Sequence, residues 1–114
     1  MAFILSQKSS YTWPVKYGTP KDAGKIEKSE FMAEFKRLPQ SRLDAIQKQA
    51  LDNAVDDDQF IGEILIGWSG IKTPEGEEVL FNEATRSVVL DLAGMRAAIV
   101  QAFFDSIAGA ARKN

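Results

Sequence analysis

The 114 residues, 45% apolar and 26% charged, suffice for one domain with its own core and are not the composition of a disordered chain. Fourteen basic against sixteen acidic residues leave a net charge of −2, without the positive field by which nucleic-acid binders displace counterions from phosphates. Cysteine and histidine are both absent. That excludes disulfides, thiolate chemistry, Ser-His-Asp and Cys-His catalysis and the common zinc sites, and leaves carboxylate, lysine or tyrosine chemistry or an oxygen-ligated metal.

The opening Met1-Ala2-Phe3-Ile4-Leu5-Ser6-Gln7-Lys8 has a short apolar run without a preceding basic region or a small-residue cleavage site. It reads as a first strand or an ordered arm, not a signal peptide. No apolar stretch approaches the roughly 20 residues of a membrane helix, so a cytoplasmic protein without membrane contact is expected. Tyr11, Trp13, Val15 and Tyr17 then alternate with Thr12, Pro14 and Lys16, the two-residue period of a half-buried strand. Pro14 has no N–H to give a ladder, which predicts an edge strand. Residues 18–24 carry turn chemistry. A second strand should follow, with Phe31, Ala33 and Phe35 on one face and Glu30, Met32, Glu34 and Lys36 on the other. Together the two make a long hairpin whose inner aromatics need a helix to lie against.

Helical spacing takes over from Leu38-Pro39-Gln40-Ser41. Leu43, Ile46, Ala50, Leu51 and Ala54 share one side of a first helix. Asp56-Asp57-Asp58 opens a second helix, expected to carry the stripe Phe60, Ile61, Ile64, Leu65 and Trp68, to turn Glu63 outward and to end at a glycine near Ser69-Gly70. Thr73-Pro74-Glu75-Gly76 is a turn. Asn82 is a good N-cap for a short helix with Val88, Val89 and Leu92, and Ala93-Gly94 interrupts it. The last helix spans about residues 95–108. The expected fold is α+β: one domain over residues 1–114, with an N-terminal antiparallel hairpin or small sheet (1–37, mainly β) packed against a C-terminal bundle of about four helices (38–112, mainly α).

On the last helix Met95, Ile99, Phe103, Ile107, Val100 and Phe104 sweep close to half the circumference. Two arrangements fit. One is a central helix covered on both flanks by its own domain; the other leaves Val100 and Phe104 to a partner or a second copy. Trp13, Trp68, Phe103 and Phe104 are candidate contact anchors because aromatics carry much of the energy of interfaces, although a small domain also uses such residues as core. For Phe103 the core reading is preferred.

Other apparent chemistry dissolves on inspection. Gly67-Trp68-Ser69-Gly70 would need glycine at 71 for a nucleophile elbow, where Ile71 stands, and no histidine exists to act as base. Consecutive aspartates at 56–58 lack the spacing of a calcium loop and read as a solvated cap, so neither a metal nor a cofactor is expected. Lys25, Lys28, Lys36, Arg37 and Arg42 are interleaved with Glu27, Glu30 and Glu34, which nearly cancels their charge. Arg112-Lys113 suits the negative end of the last helix dipole.

Four stretches in order resemble the tail assembly chaperones of long-tailed, lambda-like phages and prophages. They are Ser6-Gln7-Lys8-Ser9-Ser10-Tyr11-Thr12-Trp13-Pro14-Val15, Ala33-Glu34-Phe35-Lys36-Arg37-Leu38-Pro39, Gly67-Trp68-Ser69-Gly70, and the ending with Arg96-Ala97-Ala98, Gln101-Ala102-Phe103-Phe104-Asp105-Ser106 and Gly109-Ala110-Ala111-Arg112-Lys113-Asn114. None is a catalytic motif; their joint order, reaching nearly from end to end, carries the resemblance. It implies a non-enzymatic protein of the host cytoplasm that keeps the tape measure protein soluble while the tail tube grows, self-associates in some members, and is absent from the finished virion. It also implies a longer form, made by ribosomal frameshifting, whose extension recruits tail tube subunits; Arg112-Lys113-Asn114 is compatible with an A-rich slippery site. The family pattern transfers no binding residues. Trp13, Trp68, Val100 and Phe104 are the partner-binding candidates from the residues themselves. The alternative is a minor tail or head–tail connector protein that stays in the virion.

Overall fold

Alternation in the first third becomes a long antiparallel hairpin. The computed structural model describes residues 9–51 and 57–112; the expectations for Met1 to Lys8, Ala54, Asp56 and Lys113 lie outside them. Strand β1 (Ser10–Pro20) pairs with β2 (Ile26–Lys36), Trp13 opposite Ala33 and Val15 opposite Phe31. The strands run further than expected: Gly18, Thr19 and Pro20 belong to β1, and the turn is confined to residues 21–25. Ala23 sits there at φ 62° and Gly24 at φ 75°, and the Lys21 amide donates to the Lys25 carbonyl at 2.7 Å. A left-handed alanine costs roughly 1–2 kcal/mol, which the closed turn and the strands it joins must offset.

The Arg37 amide donates to the Ser9 carbonyl at 2.9 Å. Antiparallel ladders alternate, so the odd residues of β1 bond to β2 and the even ones turn their backbone polar groups to the other side. Pro14 is even, and β1 is an edge of the three-stranded sheet β1-β2-β3. Its missing N–H therefore falls on the open edge, removes a donor there and blunts that edge against a further strand.

Helix α1 (Gln40–Leu51) follows, entered through Pro39. The largest departure from expectation comes next. Helix α2 (Asp57–Ile64) stops at Ile64, and Leu65–Ser69 is strand β3, antiparallel to β2, instead of a continued helix closed by glycine. Three causes are visible. Leu65 and Gly67 are buried with Ile66 exposed between them, the two-residue alternation of a strand. A bulge between Glu34 and Phe35 lets β3 pair with Met32, Ala33 and Glu34 on one side of it and bring Leu65 opposite Phe35 on the other. Gly67 permits close approach, because a Cβ there would stand 2.9 Å from Glu34 Oε1. Gly70 then turns the chain at φ 86°.

Asn82 caps α3 (Glu83–Leu90) as expected, with its side chain accepting from the Thr85 amide at 2.9 Å while the Thr85 hydroxyl accepts from the Asn82 amide at 3.0 Å. The apolar residues of this stretch divide between inside and outside. Val89 and Leu90 are buried, whereas Val88 and Leu92 point outward, being 69% and 47% exposed. Residues 91–94 break the chain, and α4 (Met95–Arg112) is the long final helix. Among the described residues no single helix is long and apolar enough to cross a membrane; α3 and α4 reach that composition only as a pair bent by 99°.

The architecture is α+β, a three-stranded antiparallel sheet with four helices among the described residues. The odd face of β1, with Phe31, Ala33, Phe35 and Leu65, meets α4 and α2. Phe35, Phe103, Ile61, Ile64, Ile99 and Val15 are fully buried at its centre. Phe103 receives Phe35 edge-on at 5.4 Å and Phe60 edge-on at 5.6 Å, the geometry that aromatic quadrupoles prefer. Helix α4 is thus the central helix, covered by the sheet on one flank and by α2 on the other, which accounts for its broad apolar sector.

Candidate functional site

Where β1, the β2–α1 connection and α4 meet, a crevice of about 650 Å³ opens at the surface. Its body wall is built by Tyr11, Trp13 and Ile107; its other wall by Leu38, Pro39 and Leu43, with Arg37 at the junction. The strand period puts Tyr11 and Trp13 on the face toward α4, and the helical period brings Phe103, Ser106 and Ile107 round to meet them.

Polar groups inside the crevice are satisfied. Ser106, 3% exposed, donates to the Phe103 carbonyl at 2.6 Å. A serine hydroxyl has one proton, so in the 2.7 Å contact between Tyr11 Oη and Ser106 Oγ the tyrosine is the donor. The Arg37 guanidinium stacks 4.9 Å from the Tyr11 ring centre, placing positive charge at the rim of an apolar surface. Aromatic faces and aliphatic side chains make a surface suited to apolar side chains of a helix or extended segment. Its lining residues include no carboxylate and no lysine.

The four candidates from the sequence fall in two regions. Trp13 and Trp68 stand in one row across the sheet with Ala33 between them, which explains why a small residue occupies position 33. Trp13 reaches the crevice and packs against α4, where a Cβ on Gly109 would lie 3.8 Å from its Cη2. Trp68 works at the opposite edge. Its Nε1 donates to the Val79 carbonyl at 2.7 Å and its ring meets Phe81 at 4.8 Å, so it anchors the segment after β3. Val100 and Phe104 are half-buried on α4, and Phe104 stacks on Phe60 at 5.7 Å. Only Trp13 of the four lines the crevice. Tyr11, Leu43 and Ile107 had appeared in the sequence merely as members of apolar stripes, and Leu38-Pro39 as a helix entry; their convergence has no signature at local spacing.

Helix α1 is tied to α2 by a forked ion pair. Arg42 donates from Nε to Glu63 Oε2 at 2.8 Å and from Nη2 to Oε1 at 2.7 Å. These bonds, assisted by the charges of Arg42 and Lys36 and opposed by partial burial, hold the Glu63 carboxyl below its ordinary range. A depressed carboxylate contributes stability above its unfolded value and loses it as pH falls through the folded one. The difference in urea midpoint between the wild type and Glu63→Gln should therefore be largest at neutral pH and shrink below about pH 4.5. An unchanged difference in acid would mean that Glu63 acts by packing alone.

Among the described residues no three acidic side chains converge on a point that could hold a metal ion. Comparison with protein-family models, with curated proteins and with solved structures gives no match.

Proposed function

We propose that this chain is a non-enzymatic tail assembly chaperone that binds an apolar helical segment of a tape measure protein in the host cytoplasm and is released before the virion is complete. The observation that carries this reading is the crevice of Tyr11, Trp13, Leu38, Leu43 and Ile107, an aromatic and aliphatic surface open at about 650 Å³. The ordered resemblance along the chain supplies the partner. A tape measure protein is long, helical and apolar along much of its surface, and a chaperone for it must cover that surface reversibly, with a contact smaller than a permanent interface. In the same reading a frameshift-extended form recruits tail tube subunits, and half-buried Val100 and Phe104 are the positions from which copies of the chain associate.

Quantitative mass spectrometry of the chain in an induced lysate and in purified particles tests it. Abundance in the lysate with absence from particles is the expected result. Stoichiometric presence in particles would replace the chaperone by a minor tail or connector protein.

A further inference from the structure

We propose that α1 is a lid on the crevice, held shut by the Arg42–Glu63 fork and able to swing clear while the sheet and α2, α3 and α4 stay folded. Across residues 40–49 one side chain, Ile46, is buried; Arg42 and Leu43 are half-buried and the others face solvent. Helix α2 by contrast buries Phe60, Ile61 and Ile64 within a shorter span, and α4 buries Met95, Ile99, Ala102, Phe103 and Ser106. Local opening is governed by such buried contact, so α1 is the element that separates first.

The polar tie has the character of a latch. Arg42 and Glu63 form an ion pair between α1 and α2, and their side chains remain 38% and 27% exposed. Water can take over each partner as they part, which keeps release reversible. On its other side α1 joins the body through Leu38 and Pro39, the residues that make up the outer wall of the crevice together with Leu43. Moving α1 therefore moves that wall away from Tyr11, Trp13 and Ile107, and uncovers the apolar surface beneath Ile46. The crevice widens on that side. What enters rests on the chaperone reading above; the movement of α1 does not.

The chain has no cysteine, so a single introduced thiol reports its own exposure. Ile46→Cys lies on the buried side of the lid and Ile99→Cys on the buried side of α4, with the same side-chain change at two buried sites. Under native conditions a thiol reagent should modify Ile46→Cys at least about tenfold faster than Ile99→Cys. Adding Glu63→Gln should raise the first rate severalfold and leave the second unchanged. Equal rates for the two thiols, or a first rate indifferent to Glu63→Gln, would overturn the lid. Should either cysteine variant fail to fold, amide exchange on the wild type and on Glu63→Gln gives the same reading, with α1 amides exchanging ahead of those of α4 if the lid exists and together with them if it does not. Neither experiment contains a partner, so a working lid with no tape measure binding would sink the chaperone reading alone.

Discussion

Phe103→Ala is expected to destabilise the protein by about 3–5 kcal/mol, the cost of a large cavity where the surroundings cannot collapse. Phe103 is 1% exposed and stands between Phe35, Phe60 and Phe104, so its removal takes a ring contact from each of three neighbours at once. Total stabilities of domains this size are about 5–15 kcal/mol, and a loss of that order should lower the melting temperature by about 15 °C or more. Val88→Ala is the matched control. Val88 is 69% exposed, and its truncation should change stability by no more than about 0.5 kcal/mol. Thermal melts of the two variants check this. Similar losses in both would mean that α4 is not the helix around which the domain packs.

Trp13→Ala should weaken binding to a tape measure segment by about 2 kcal/mol or more, roughly 30-fold, because a half-buried tryptophan in an apolar crevice has the attributes of an interface anchor. Some stability will also go, since the Trp13 ring packs on α4 at Gly109. Binding is therefore compared by titration well below both melting temperatures. Trp68→Ala separates the two tryptophans of the cross-sheet row. It releases the Val79 carbonyl and the Phe81 ring at the far edge of the sheet and should leave affinity within about twofold. A loss confined to Trp68→Ala would move the contact surface from the β1 edge to the β3 edge.

Much of the fold was legible because it is written at short range. The period of two in Tyr11, Trp13, Val15 and Tyr17 and in Phe31, Ala33 and Phe35 names the inner face of each hairpin strand. Pro14 names the edge, as only a position with its nitrogen turned outward tolerates the loss of an N–H. The Asn82 cap and the break at Ala93-Gly94 are equally local. Leu65–Ser69 was not legible. A short apolar run after a helical stripe fits either period, and the arbiter was the β2 edge, a partner about thirty residues away in the chain. The outward turn of Val88 has a similar origin, because a short amphipathic helix has two plausible apolar faces until a neighbour selects one, and Leu92 lies past the end of α3.

Composition alone decided which chemistries this protein lacks, since no arrangement in space can supply the imidazole and thiol that are missing from the chain. Period and turn chemistry alone decided the hairpin, its buried face and where α3 and α4 begin, because those depend on neighbours within a few residues. Only the tertiary structure decided that α4 is central, that Trp13 and Trp68 share a row yet serve opposite edges, and that Leu38, Leu43 and Ile107 close with Tyr11 around a crevice. Those residues lie up to 96 positions apart, the separation of Tyr11 and Ile107 (107 − 11), and nothing in their local spacing encodes the meeting. It follows from the burial of three separate apolar faces against one another, a cooperative property of the folded chain and not of any one segment of it.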